Sequence, residues 1–159
     1  MPAFDAPTIL VPDDLDPPSR AAVQRAIELA HGLHGRVVVL HVVPPSAFPE
    51  GMRFFPQDST EPVDLTEYIS ARARQALDTY FIDVLTAGVE VRYEVRTGHP
   101  VETILAAIRD DEADLVVVGT HGRSGLSHIL LGSTAERVVR SAPCPVLTVR
   151  HPEHEFVTP

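Results

Sequence analysis

Short apolar runs alternate along the chain with longer stretches of helical periodicity. The runs Val37–Leu40 and Leu115–Val118 are apolar at every position, which is typical of strands covered on both faces of a sheet. The predicted strands are Thr8–Val11, Arg36–Val43, Val89–Thr97, Leu115–Val118 and Pro145–Arg150. The predicted helices are Arg20–Leu33, Asp64–Ala87, Val101–Arg109 and Ser133–Arg140.

The order of these elements predicts an α/β fold. Helical crossovers that join apolar strands imply a single-domain, open, doubly wound, five-stranded parallel sheet flanked by about four helices. The expected domain covers residues 1–150, with a long surface loop at 44–62 and a flexible tail at 151–159. Ligands of such sheets bind outside the carboxyl ends of the strands, at the switch point of strand order. This rule directs attention to Pro12–Asp14, His41–Val43, Thr97–Pro100 and Gly119–Thr134.

Composition and charge narrow the classes of partner. The chain has 159 residues and a net charge of −9, which argues against nucleic-acid binding because basic groups are outnumbered. A polyanionic ligand must therefore be held by local backbone dipoles. The lone Cys144 excludes an internal disulfide. The chain shows no apolar run long enough to span a membrane and no export signal at its start, so we expect a cytoplasmic protein.

The glycine-rich segment after the strand Leu115–Val118 carries the main candidate chemistry. Gly119 allows a sharp turn, Gly122 lets backbone N–H groups approach an anion, and Gly132 opens the next helix. A helix start presents unpaired N–H groups that favour phosphate. Ser133 and Thr134 add hydroxyl donors, and Arg123 offers a nearby cation. The alternative is that the glycines serve only a turn and a helix start, with Ser133 as the N-cap.

Other polar residues have simpler interpretations beside their functional ones. Asp13, Asp14 and Asp16 could hold a metal, but we expect Asp13 to be a solvated surface charge and Asp16 a helix cap. His99 and His121 lie on the ligand-facing edge, where either could bind phosphate or move a proton. The sequence contains no serine elbow and no carboxylate pair with catalytic spacing.

Several of these segments together resemble the universal stress protein family, from Ala6 to Arg150. The matching segments are Ile9–Asp14, Leu40–Val42, Gly98–Pro100, Asp114–Gly122, Gly132–Val138 and Pro143–Leu147. The most specific part is the spacing G-x2-G-x9-G-S, which begins at Gly119 and ends at Ser133. In that family this spacing distinguishes members that bind ATP. The family often has Ser where this chain has Asp16, which leaves a hydroxyl contact there in doubt.

The resemblance implies a Rossmann-like fold of the adenine nucleotide alpha hydrolase type, and roles for individual residues. Asp14 would lie beside adenine or ribose, and Val42 would offer backbone groups to the adenine edge. The phosphates would be held by Gly119, Gly122, Gly132, Ser133 and Thr134, with Mg²⁺ or Mn²⁺ bridging them. Pro12, Asp13, Thr120, His121 and Arg123 complete the candidate site.

The same resemblance implies a regulatory homodimer that responds to stress and hydrolyses ATP slowly at most. The two copies would pair through the C-terminal edge strand of each, residues 145–150. Two alternatives stay open at this stage. One is an enzyme on the same scaffold, such as an ATPase or nucleotidyl transferase that uses His99 or His121. The other is a dimeric interaction module that binds no nucleotide.

Overall fold

The computed structural model describes residues 6–15, 17–45, 51–57, 60–81, 88–120 and 132–150. The strands are β1 (Thr8–Pro12), β2 (Arg36–Val43), β3 (Arg53–Phe54), β4 (Val63–Asp64), β5 (Glu90–Thr97), β6 (Leu115–Gly119) and β7 (Val146–Val149). The helices are α1 (Pro17–Leu33), α2 (Leu65–Phe81), α3 (Pro100–Asp110) and α4 (Ser133–Ser141).

Five of the strands form one parallel sheet in the order β5-β2-β1-β6-β7. The chain builds outward from β1 to β2 and β5, and then returns to the other side of β1 with β6 and β7. This arrangement confirms the predicted five-stranded parallel α/β fold. It also places the switch point of strand order between β1 and β6.

Alternate residues of the central strands pack into two cores on opposite faces. Ile9 and Val11 of β1 pack with the buried face of α1, which includes Val23 and Ala26. Leu10 points the other way and packs with α3 and α4, through residues such as Ile104. Both sheet faces are therefore covered, which explains why the central strands are apolar at consecutive positions.

The predicted long loop contains a feature that the sequence did not indicate. Arg53 pairs with Asp64, and Phe54 pairs with Val63, in a two-stranded antiparallel sheet. Treating 44–62 entirely as loop was therefore wrong, because two-residue strands are too short to show an alternating pattern. Residues 46–50 and 58–59 of this segment, the end of the predicted second helix (82–87) and the tail 151–159 lie outside the described residues.

The two edges of the sheet differ in chemistry. Edge strand β5 carries Arg92, Glu94 and Arg96 on one face. Arg96 contacts Glu94 at 2.8 Å and Asp110 of α3 at 2.7 Å, while Arg92 pairs with Asp111. Edge strand β7 has no charged residue, and its Leu147 is 37% exposed.

Candidate functional site

A crevice opens between β1 and β6 at their carboxyl ends. The two strands pair through Ile9–Leu115 and Leu10–Val116, and no further pair joins them within these two fully described strands. Beyond that point β1 stays paired with β2 as far as Pro12, and β6 stays paired with β7 as far as Gly119. Each strand end is thus held by its outer neighbour while the inner sides separate. This is where a ligand is expected in such a sheet.

The two ends of the glycine-rich segment meet at this crevice. The Gly132 N–H donates to the Thr120 carbonyl oxygen at 2.9 Å, and the Thr120 N–H donates to the Val149 carbonyl oxygen at 3.0 Å. Thr120 is buried, whereas Gly119 and Gly132 are half-buried. The structure therefore brings Gly119 and Thr120 next to the start of α4. His121, Gly122 and Arg123 lie outside the described residues.

The start of α4 has a glycine as its N-cap residue. Gly132 is the N-cap, with φ −65° and ψ 152°, and as a glycine it has no side chain that could cap the helix. The alternative in which Ser133 caps this helix is wrong, because Ser133 is its first helical residue. Because the N-cap residue offers no side-chain acceptor, the first N–H groups of α4 are suited to an anion, beside the Ser133 and Thr134 hydroxyls.

The start of α3 faces the same region. Its N-cap, His99, makes no side-chain cap hydrogen bond, and Pro100 has no N–H to satisfy. A cavity of about 200 Å³ lies between the starts of α3 and α4. It is lined by His99, Pro100, Val101, Glu102, Thr134 and Arg137. Two helix N-termini and Arg137 therefore border one small cavity, together with the acidic Glu102.

Asp13 is buried, which overturns the expectation of a solvated surface charge. Only 3% of its surface is exposed. Its Oδ1 accepts hydrogen bonds from the Leu15 N–H at 3.0 Å and from the Ser19 hydroxyl of α1. The cause is the turn after β1, where Leu15 adopts a left-handed φ of 66° and brings the chain back onto α1.

The second carboxylate oxygen of Asp13 is in a different environment. Oδ2 is buried and has no hydrogen-bond partner among the residues that the structure describes. Burial raises the pKa of this carboxyl above its ordinary 3.8, although the hydrogen bonds from Ser19 and Leu15 act in the opposite direction. Burial therefore makes the Asp13 carboxyl harder to ionise than an exposed one.

His41 positions this corner of the site, and the sequence reasoning gave it no such role. Its Nδ1 lies 2.8 Å from the Asp13 carbonyl oxygen. A carbonyl can only accept, so Nδ1 carries the proton and donates it. The signal in the sequence was a single histidine within the apolar part of β2, directly before Val42.

The other predicted residues of this edge lie where the strand ends place them. Pro12 ends β1 opposite Leu40, and Asp14 follows in the turn, half-buried. Val42 lies near the end of β2, half-buried and packed against the core that faces α3 and α4. Asp16, the expected cap of α1, lies outside the described residues.

Two further features of the molecule bear on the kind of ligand it could hold. In the described ranges, no group of three His, Cys, Asp or Glu side chains is placed to hold a metal. A larger cavity, of about 430 Å³, lies beside edge strand β5 and is lined by Arg74 and Tyr93–Arg96. It is remote in sequence and strand order from the glycine edge, and its Arg96 is already paired with Glu94 and Asp110.

Comparison with known proteins agrees with this geometry. Residues 6–150 match the universal stress protein family. The chain belongs to that family. A universal stress protein of Methanocaldococcus jannaschii is 34% identical over 147 residues, which cover 92% of this chain and 84% of the relative.

Solved structures of universal stress proteins share the fold. UspA of Lactobacillus plantarum superposes with a TM-score of 0.72 and 29% identity, covering 91% of this chain and 98% of that one. A universal stress protein solved in complex with cAMP superposes with a TM-score of 0.59 and 26% identity, covering 90% and 95%. Among the described residues of the present universal stress protein, no helix combines the length and apolar character needed to cross a membrane.

Proposed function

We propose that this universal stress protein binds an adenine nucleotide, ATP by preference, in the crevice between the carboxyl ends of β1 and β6. The observation that carries the proposal is the convergence of Gly119 and Thr120 with the start of α4, whose N-cap residue is Gly132. A helix N-terminus whose N-cap residue is glycine, at the switch point of a parallel sheet, is suited to phosphate. The cAMP complex of a related universal stress protein supports an adenine nucleotide as the ligand.

Each predicted residue has a role in this proposal. The backbone N–H groups around Gly119, Gly122 and Gly132, with the Ser133 and Thr134 hydroxyls, hold the phosphates. Thr120, His121 and Arg123 belong to the same glycine-rich segment. Pro12, Asp13 and Asp14 form the β1 side of the crevice, and Val42 offers its backbone to adenine. Mg²⁺ or Mn²⁺ is held through the nucleotide phosphates and supplies charge neutralisation there.

The proposed mode of action is regulation by a homodimer in the cytoplasm. An uncharged edge strand with an exposed Leu147 is suited to pairing with a second copy. Pairing along 145–150 would place the two glycine edges close to the interface, because β7 is adjacent to β6 and the Thr120 N–H is bonded to Val149. Nucleotide binding can then alter the association of the dimer or its surface.

Calorimetric titration with ATP and Mg²⁺, compared with AMP, tests the site. In the variant Gly132→Val a branched side chain occupies the start of α4, and the extended backbone at Gly132 accommodates it without strain. We expect ATP affinity to fall by at least about tenfold, and AMP affinity by less, because AMP has fewer phosphates. Gly32→Val is the matched control, since a Cβ at Gly32 meets no atom within 4 Å.

The outcomes separate the candidate functions. Absence of ATP and AMP binding by the wild type contradicts the nucleotide proposal and favours the interaction module. Unchanged ATP binding by Gly132→Val contradicts the proposed phosphate position. Turnover of ATP at high protein concentration, measured for the wild type and His121→Ala, tests the enzyme alternative. Rapid turnover that His121→Ala abolishes would contradict the regulatory function.

A further inference from the structure

Asp13 is fixed in place by hydrogen bonds from three directions. Its backbone N–H donates to the Leu40 carbonyl oxygen at 2.8 Å, and its own carbonyl accepts from His41 Nδ1. Its Oδ1 is held by the Leu15 N–H and by the Ser19 hydroxyl of α1. The carboxyl cannot turn towards solvent without losing the hydrogen bonds from Leu15 and Ser19.

This arrangement makes ionisation of the Asp13 carboxyl less favourable than it is in water. A buried charge with an unpartnered oxygen is costly, whereas a proton on Oδ2 removes the charge. Among the described residues, Asp14 in the following turn raises the pKa of Asp13, and His41 on β2 lowers it. From α1 the facing group is the uncharged Ser19 hydroxyl.

Asp13 also lies on the same sheet edge as the groups proposed to hold phosphate. It follows the last residue of β1, and Gly119 ends β6, the adjacent strand. A nucleoside triphosphate carries several negative charges. A negative charge on Asp13 would oppose binding of the nucleotide, most strongly where burial reduces screening by water.

We propose that Asp13 is the proton-binding residue of the nucleotide site, carrying a proton on Oδ2 while the nucleotide is bound and weakening nucleotide binding when it ionises. This inference rests on the proposed function and adds a regulation of the same site by pH. Where Asp13 is ionised in the free protein, one proton passes from solvent to its carboxylate as the nucleotide binds.

The size of the effect follows from linkage. Affinity falls by up to about tenfold per pH unit between the pKa of Asp13 in the free protein and its pKa in the complex. Below the first pKa and above the second, this residue makes no contribution to the slope. Because coupling is reciprocal, ionisation of Asp13 lowers the nucleotide affinity by the same factor by which the nucleotide raises the proton affinity of Asp13, so its pKa rises in the complex.

The experiment is calorimetric titration of ATP with Mg²⁺ between pH 5 and pH 8.5, in buffers of different ionisation enthalpy. We expect the wild type to take up a proton on binding and Asp13→Asn to lose that uptake and its pH slope. Asp114→Asn is the control for the loss of one carboxylate. Asp114 directly precedes β6, at the amino ends of the strands, where its carboxylate accepts a hydrogen bond from the Thr8 N–H. Both variants leave the nucleotide's own ionisation unchanged, so their difference isolates Asp13.

A second measurement avoids dependence on the variant's folding. The carboxyl carbon of Asp13 is followed by NMR against pH in the wild type, with and without ATP. A pKa that rises on addition of ATP supports the inference. An unchanged pKa in the ATP complex, or the same pH slope in wild type and Asp13→Asn, overturns it and leaves nucleotide binding intact. Absence of ATP binding at every pH overturns the inference together with the proposed function.

Discussion

Replacing Gly98 by alanine tests how the chain enters α3 at the site. Gly98 follows β5 directly, and its N–H donates to the Val43 carbonyl oxygen at 3.0 Å. Its φ is 154°, a conformation that L side chains rarely adopt. An added Cβ would also lie 2.3 Å from Thr103 Oγ1, which is well inside van der Waals contact.

Two effects contribute to the expected loss of stability. The backbone conformation costs an alanine about 1–3 kcal/mol. Displacing the Thr103 side chain from its rotamer costs about 0.5–1.5 kcal/mol more. The sum is about 1.5–4.5 kcal/mol, and a loss of about 3 kcal/mol lowers the melting temperature of a chain of this length by roughly 6–12 °C.

Thermal and denaturant unfolding of four proteins separates the two effects. These are the wild type, Gly98→Ala, Thr103→Ala and the double variant, which form a double-mutant cycle. We expect the double variant to recover only the contact part, about 0.5–1.5 kcal/mol. Gly88→Ala is a control for backbone conformation alone, because Gly88 has φ 71° with open space around it. A loss below about 0.5 kcal/mol for Gly98→Ala would refute the reasoning, since both effects would then be absent.

Three further predictions concern stability and assembly. Gly32→Ala, in the last turns of α1 with no atom near the added Cβ, is expected to raise the free energy of unfolding by about 0.4–1 kcal/mol in denaturant titrations; a loss of stability would contradict this. Because the pKa of Asp13 is raised in the folded state, its contribution to the free energy of unfolding is full below about pH 4 and is lost as pH rises through the folded-state pKa. Asp13→Asn should abolish this pH dependence in unfolding experiments without nucleotide. Leu147→Lys on β7 should convert the proposed dimer to monomer in analytical ultracentrifugation, whereas Leu33→Lys on α1 should not, and a dimer that survives Leu147→Lys would contradict pairing through β7.

Much of the fold could be predicted because burial on both faces leaves an unbroken apolar run. β2 was predicted to the residue, as Arg36–Val43, since Gly35 and Pro44 bound its run. The pairing of β3 with β4 could not be predicted, because two residues carry no period. Helix ends moved by a few residues, as in α3, where Pro100 supplies the first helical position.

The candidate site was predictable where it depends on strand order. The rule that ligands bind at the switch point directs attention to Gly119–Thr134, and the structure places Thr120 and Gly132 in hydrogen-bond contact there, while their role in binding stays a prediction. The burial of Asp13 was not predictable from the pattern of apolar residues. It depends on a left-handed turn at Leu15 and on the hydrogen bond from Ser19 of α1. The roles of His121, Gly122 and Arg123 stay predictions.

The contrast between the two edges of the sheet has a consequence for the form of any assembly. A sheet with two adhesive edges can add copies at both ends, which leads to open filaments. Here the β5 edge carries the ion pairs of Arg92 and Arg96 with Asp111 and Asp110, and charged edges resist strand addition. If copies pair through β7 alone, each molecule has a single point of attachment. Assembly then stops at two subunits related by a twofold axis, and the charged edge acts as a terminator of growth.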